Sequence, residues 1–204
     1  MEIIKNNPFR ILGLLSNATE RDILRQKSKI QAHLNVGKNI NLAFDLPLFG
    51  ELKRNQDSLS LALSQLESDL NKVQNALFWM INHSSYDQIA LDHMKNGDHF
   101  RAKDIWAKVT GSKQINAQNI SATLNLSTII IFEAFIGNDI DFRLLSSGLA
   151  KKLQLVNSAE FGNFVHSFAG QNFKASKDKL SEFLISSFSD ELLKRYKNGN
   201  ESTF

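Results

Sequence analysis

The sequence predicts an all-α protein, and three observations carry that prediction. No stretch alternates polar and apolar residues with period two for long enough to make a strand. Only two prolines, Pro8 and Pro47, and ten glycines interrupt the 204 residues, which leaves long windows for helix. Within those windows apolar residues recur at steps of three and four, with Ser, Asp or Asn before the runs and Gly after them, the punctuation of capped helices.

Hydrophobic residues make up 42% and charged residues 22%, a balance that supports a core and argues against a disordered chain. The formal net charge of +3 is too small for a dedicated nucleic-acid binder, which concentrates Lys and Arg on one face. The absence of cysteine excludes disulfides, thiolate metal sites and a cysteine nucleophile. The opening MEIIKNNPF lacks the layout of a signal peptide. The longest apolar run, around Leu126 to Ile136, contains Glu133 and falls short of the roughly 20 residues that span a bilayer. These features point to a cytoplasmic protein without membrane contact.

In chain order, Pro8 suits the first turn of a short helix carrying Phe9, Ile11, Leu12 and Leu14, with Gly13 as its exit. Ser16, Asn17 and Thr19 are candidate N-caps, and Glu20 and Asp22 favour the start of a helix over about Glu20–Asn35. Ile23, Ile30 and Leu34 fall on its inner face, and Arg21, Arg25 and Lys29, spaced i, i+4, i+8, form a basic outer stripe. The segment Lys38 to Glu51 reads as a long loop whose Leu46, Leu48 and Phe49 tuck back on the core.

Leu59, Leu63, Leu66, Leu70, Val73, Leu77 and Met80 then form a seam at heptad spacing. It fits one long helix, possible as a coiled coil. It also fits a helix ending near Leu66 followed by another capped by Ser68 or Asp69. The flanks lack the opposite charges of a pairing coil, which favours the second. Ala76-Leu77-Phe78-Trp79 is apolar on several sides and suggests deep burial at a domain junction.

Beyond the break at His83-Ser84-Ser85, a helix over Tyr86 to Met94 ends at Asn96-Gly97, and Asp98 caps another over His99 to Val109. Asn116 to Ile136 is expected as a buried or subunit-pairing helix, since Ile129 to Phe135 is apolar nearly all round. Asp141 to Leu155 follows as an amphipathic helix. Ser158 is expected to cap Ala159 to Ala169, with Phe161, Phe164, Val165 and Phe168 on one face. A last helix, about Ser176 to Lys197, should bury Leu180, Phe183, Leu184, Phe188 and Leu192, with Lys194, Arg195 and Lys197 in its final turn and Gly199 ending it before a loose tail.

Phe9-Arg10-Ile11-Leu12-Gly13-Leu14, followed by Ala18-Thr19-Glu20-Arg21-Asp22-Ile23 and the basic helix, resembles the opening of a J domain, the Hsp70 co-chaperone module. In that family the basic helix ends in His-Pro-Asp, which stimulates Hsp70. Here those positions hold Asn35-Val36-Gly37, so the resemblance is to a degenerate J-domain-like module that keeps the basic stripe without the activating tripeptide. Gly97 to Trp106, with the small Ala102 and with Trp106 four residues on, resembles the middle of a tetratricopeptide (TPR) repeat, seen once and without a 34-residue period. The NPFRILGL opening, the ALFW stretch and the G-x-x-x-x-A-x-x-x-W hairpin are similar to those of bacterial proteins that often run longer than this chain.

The expected architecture is therefore a J-domain-like module over residues 1–82 packed on a C-terminal helical bundle with a TPR-like hairpin over residues 83–204. Glycine-rich phosphate loops, serine elbows and HExxH patterns are all missing, and His93, Asp98 and His99 read as ordinary helix-end residues rather than a metal set. No catalytic residue, metal ligand or cofactor is expected. The chain reads as a non-enzymatic adaptor that meets another protein, Hsp70 or a larger complex, through Arg21, Arg25, Lys29, Asn35, Val36, Gly37 and Lys38. An Hsp70 co-chaperone using a non-standard loop and an accessory nucleic-acid binder are the alternatives, the latter disfavoured because no aromatic residue interleaves the stripe.

Overall fold

The computed structural model describes residues 1–111, 114–189 and 191–193, and all regular structure among them is helical. A single hydrophobic cluster runs from Met1 to Phe188. One short buried strap at its centre holds the two halves of the chain together.

The N-terminal half starts with two helices of about one turn, α1 (Glu2–Lys5) and α2 (Pro8–Ile11). The Asn7 side chain caps α2 by accepting from the Phe9 amide at 3.1 Å, and its amide donates to the Asn75 carbonyl at 2.9 Å. Gly13 leaves the turn with φ +62, and a Cβ there would overlap the Leu42 side chain. α3 (Glu20–Asn35) has the expected boundaries, because Thr19 and Asp22 form a reciprocal capping box and Gly37 (φ +65) follows its end. Ile23 and Ile30 are buried and Leu34 is half-buried.

Residues 38–55 form an ordered connection with one 3₁₀ turn over Pro47–Phe49. Leu46 and Phe49 are buried and Leu48 is half-buried. The Phe49 ring packs on Trp79 (centroids 5.2 Å apart) and edge-on to Phe132 (4.8 Å). Two buried arginines fix this connection. Arg10 donates to the Lys5, Phe49 and Gly50 carbonyls. Arg54 donates to the Ile11, Ile40 and Arg10 carbonyls and forms a two-point pair with Asp45.

The heptad seam is split between α4 (Gln56–Ser64) and α5 (Asp69–Ala76), as the capping signal at Ser68 predicts. Leu70, which a coiled coil would bury, is 42% exposed. After α5 the chain leaves helical geometry, and Leu77, Phe78, Trp79, Met80 and Ile81 pass through the core with none of their surface exposed. Backbone turns take up the Leu77, Phe78 and Trp79 amides, and groups from distant segments meet the polar backbone beyond them, as burial without water requires. The Ser16 amide and hydroxyl both donate to the Met80 carbonyl. The Asn125 amide pairs with both the N–H and the C=O of Ile81, each at 2.9 Å, as a facing strand would. Lys152 donates to the Leu77 carbonyl.

The second half opens on a helical hairpin, α6 (Ser85–Lys95) and α7 (His99–Thr110), capped by Ser84 and Asp98. Ala102 and Trp106 are fully buried, and the Trp106 indole donates to Asp87 at 2.9 Å. α8 (Ile120–Glu133) is buried over nearly its whole length and packs on both α7 and α9 (Phe142–Asn157). It starts later than the apolar pattern suggested, because the Asn119 side chain accepts from the Asn116 amide and closes a turn over residues 116–119. Gly148 lets α9 approach α8, since a Cβ there would lie 2.5 Å from Ile131 Cγ1.

Two further expectations differ from the structure. Ser158 does not cap a helix over 159–169. Its hydroxyl donates back to the Leu155 carbonyl and closes α9, and only the short α10 (Phe161–Val165) forms, still burying Phe161, Phe164, Val165 and Phe168. The last helix is interrupted rather than continuous: α11 (Lys177–Ser186) ends in a turn at Ser187–Phe188, and helical geometry resumes at residue 189 and over 191–193, where the described residues end. The Ser186 and Ser187 hydroxyls both compete for the Phe183 carbonyl, and Phe188 turns inward onto Phe78 and Phe135. Lys194, Arg195, Lys197, Gly199 and the tail lie outside the described residues.

Candidate partner-binding surface

At 3.6 residues per turn, Arg21, Ser28, Ala32, Arg25, Val36 and Lys29 fan across one side of α3, opposite Ile23, Ile30 and Leu34. All six are exposed. Leu24 and Val36, 61% and 66% exposed, mark one edge and the C-terminal end of this face. The three cations form a ladder about 12 Å long at 1.5 Å per residue. The Arg25 guanidinium pairs with Asp22 at 2.9 Å. Both partners reach water, so the pair leaves the arginine available at little cost. Among the described residues neither Arg21 nor Lys29 is ion-paired. The Asp22 carboxyl is held below its ordinary range, chiefly by hydrogen bonds from the Thr19 hydroxyl and amide and then by Arg25 and Arg21.

The turn that follows is open. Asn35, Val36, Gly37 and Lys38 are all exposed, and a Cβ on Gly37 would meet nothing within 4 Å. The Asn35 carboxamide accepts from Gln31 (3.0 Å) and Gln56 (3.3 Å), and the Lys38 amide returns to the His33 carbonyl, so the turn is fixed to the end of α3 and the start of α4. Val36 lies on the side of the basic ladder, whereas Lys38 lies beyond the helix. From Ile40 onward the loop gives its apolar residues to the core, with Ile40, Leu42, Leu46 and Phe49 buried.

A second concave region, about 560 Å³, lies between α6, α7 and the 116–119 turn. Tyr86, Ile89, Ile105 and Val109 line it, with Arg101 and Lys108 at its edge. Asp104 partly neutralises that edge, lying 2.8 Å from Lys108 and 4.0 Å from Arg101. His93 pairs with Asp98 at 3.5 Å, while the His99 ring lies against Phe100, so these three residues do not converge. Among the described residues no three His, Cys, Asp or Glu side chains gather as a metal site would require, and no helix is long and apolar enough to cross a membrane.

The residues that sequence reasoning missed are buried and polar: Arg10, Arg54, Asp87, Asn125 and Lys152. Burial pulls the Arg10 guanidinium below its ordinary range, opposed by Asp45 and reinforced by Arg54. A signal was available for three of them. Arg10 interrupts Phe9 and Ile11, Asn125 interrupts Leu124 and Leu126, and Lys152 occupies an inner position of α9 with Leu145, Gly148 and Leu155.

Comparison with protein-family models, curated protein sequences and solved structures gives no match to this chain. Fold and surface define its class as an all-helical protein that presents an exposed basic helix face at one side of a continuous core.

Proposed function

We propose that this chain is a non-enzymatic adaptor, working in the cytoplasm, that docks an acidic protein surface against the outer face of α3 and the Asn35–Lys38 turn. The carrying observation is that Arg21, Arg25 and Lys29 stand exposed on one rigid, capped helix together with exposed Leu24 and Val36. Charge on such a face steers encounter and rejects basic partners, and the two apolar residues supply area to bury. The hairpin and bundle behind it act as scaffold, and the α6–α7 groove offers a second contact. The J-domain resemblance suggests an Hsp70-type chaperone as one partner to try.

The test is a pull-down from the native host, with and without nuclease, using the natural chain and a variant carrying Arg21→Glu, Arg25→Glu and Lys29→Glu. The proposal predicts one protein enriched with and without nuclease and lost with the variant, whose helical circular dichroism stays unchanged. Loss of enrichment on nuclease treatment would instead make α3 a nucleic-acid contact, whose affinity falls steeply with salt. For the chaperone reading, purified Hsp70 should show ATPase stimulation that drops with Arg25→Glu; no stimulation removes that partner.

A further inference from the structure

Lys152 is a lysine with none of its surface exposed, at the point where α9 meets the central strap. Its Nζ donates to the Leu77 carbonyl and to Thr128 Oγ1 (2.9 Å). Thr128 spends its own proton on the Leu124 carbonyl at 2.9 Å, so its oxygen accepts from the lysine. Two acceptors therefore meet the two N–H bonds of a neutral amine. The third hydrogen of an ammonium would face only the Phe78 ring, whose centroid lies 5.2 Å from Nζ. One ring face and two neutral oxygens replace little of the hydration that a buried ammonium loses.

Among the described residues no carboxylate compensates, and the buried Asp87 is taken up by the Ser84 amide, the Trp106 indole and Asn125. On α8 the acidic residue is Glu133, and it pairs with Lys103. On α9, Arg143 is exposed and Lys151 is half-buried at a surface groove. On α11, Lys177, Asp178, Lys179 and Glu182 are exposed. On α5, Lys72 pairs with Glu20, and Asp69 lies beside Gly170. Beyond the strap, His83 stands edge-on to Phe164. Burial alone pushes the Lys152 ammonium well below the ordinary lysine range, with no charged neighbour contributing.

We propose that Lys152 is a proton-gated latch: the folded chain holds it as a neutral amine, and releasing the Leu77–Ile81 strap from the core takes up one proton. The proton comes from solvent and adds to the Nζ lone pair once water reaches it, and reclosing expels it. Acidification thus favours the open form. The sign follows from linkage. Between the folded pKa and the ordinary lysine value of about 10.4, the open chain binds one proton more than the closed chain, so the stability from this group is full above that window and is lost as pH falls through it. Below the folded pKa the dependence ends.

Two measurements test this. Nitrogen-15 NMR of Nζ in the folded natural chain should show the Lys152 signal as a neutral amine at pH values where the exposed lysines are ammonium. Urea unfolding across pH should show the opening equilibrium of the natural chain rising about tenfold per pH unit of acidification inside the window, relative to Lys152→Met, which keeps length without a titratable group. An ammonium signal that persists to the ordinary lysine range would overturn the latch, as would parallel pH profiles for the two chains. The NMR readout decides the matter alone if Lys152→Met does not fold.

Discussion

Replacing Arg54 by Met tests how the N-terminal turn and the 38–55 connection are held. The Arg54 side chain is 0% exposed and supports three backbone carbonyls besides Asp45, whose own side chain is 21% exposed. Removing one member of a buried pair costs about 3–5 kcal/mol, mostly because the remaining groups lose their partner. Water can reach Asp45, which offsets part of that cost, and the Arg10 carbonyl keeps the Gly13 amide, but the Ile11 and Ile40 carbonyls lose their Arg54 donor in the core. The expected loss is therefore about 3–4 kcal/mol, a large share of the roughly 5–15 kcal/mol that stabilises a typical protein. Urea unfolding followed at 222 nm should show the midpoint falling with little change in slope. Asp45→Asn should cost less, since one oxygen remains to accept from Arg54 and from the Leu42 amide. The double variant should cost less than the sum of the two, because each single change strands the other partner. A loss under about 1 kcal/mol for Arg54→Met would refute the idea that this guanidinium organises the connection.

Two glycines carry further predictions. Gly13→Ala should cost about 2 kcal/mol or more in urea unfolding, combining a positive φ with overlap on Leu42. Gly148→Ala should cost about 1–3 kcal/mol by forcing α9 away from Ile131 and the Ser127 carbonyl. Thr19→Ala should remove the cap of α3, costing about 1 kcal/mol in thermal or urea unfolding. It should also raise the Asp22 carboxyl toward its ordinary range in an NMR titration, since Thr19 is the main cause of its depression. For Asp22 itself, a depressed carboxyl contributes stability above its unfolded pKa that disappears as pH falls through the folded one, and the Thr19 variant should lose the part of that acid sensitivity that the hydroxyl supplies.

What the sequence made legible was local. The capping box at Thr19 and Asp22 set α3, Ser68 split the seam, and Asp98 with Ala102 and Trp106 set the hairpin, because each signal acts within one or two turns of its residue. What escaped depends on distant partners. Ser158 looked like a cap because Ser favours that role, but the chain uses it to end α9. The apolar strap was legible as deeply buried, yet its irregular backbone requires Ser16, Asn125 and Lys152 from 64, 44 and 75 residues away. The exposure of Arg21, Arg25 and Lys29 on one side of α3 was legible from their spacing, since outward residues need no partner to be placed. The restraint of the Asn35–Lys38 turn by Gln56 was not legible, because it comes from the next helix.

The proposal that the outer face of α3 meets an acidic protein can be tested in place. The most direct measurement places a photo-crosslinking phenylalanine at Ala32, in the middle of that face, and another at Ser186, exposed on α11, and irradiates both in the native host. The expected result is one protein adduct from Ala32 that resists nuclease, disappears with Arg21→Glu, Arg25→Glu and Lys29→Glu together, and is missing from Ser186. Equal adducts from both positions, an adduct to nucleic acid, or one indifferent to the charge reversal would contradict it.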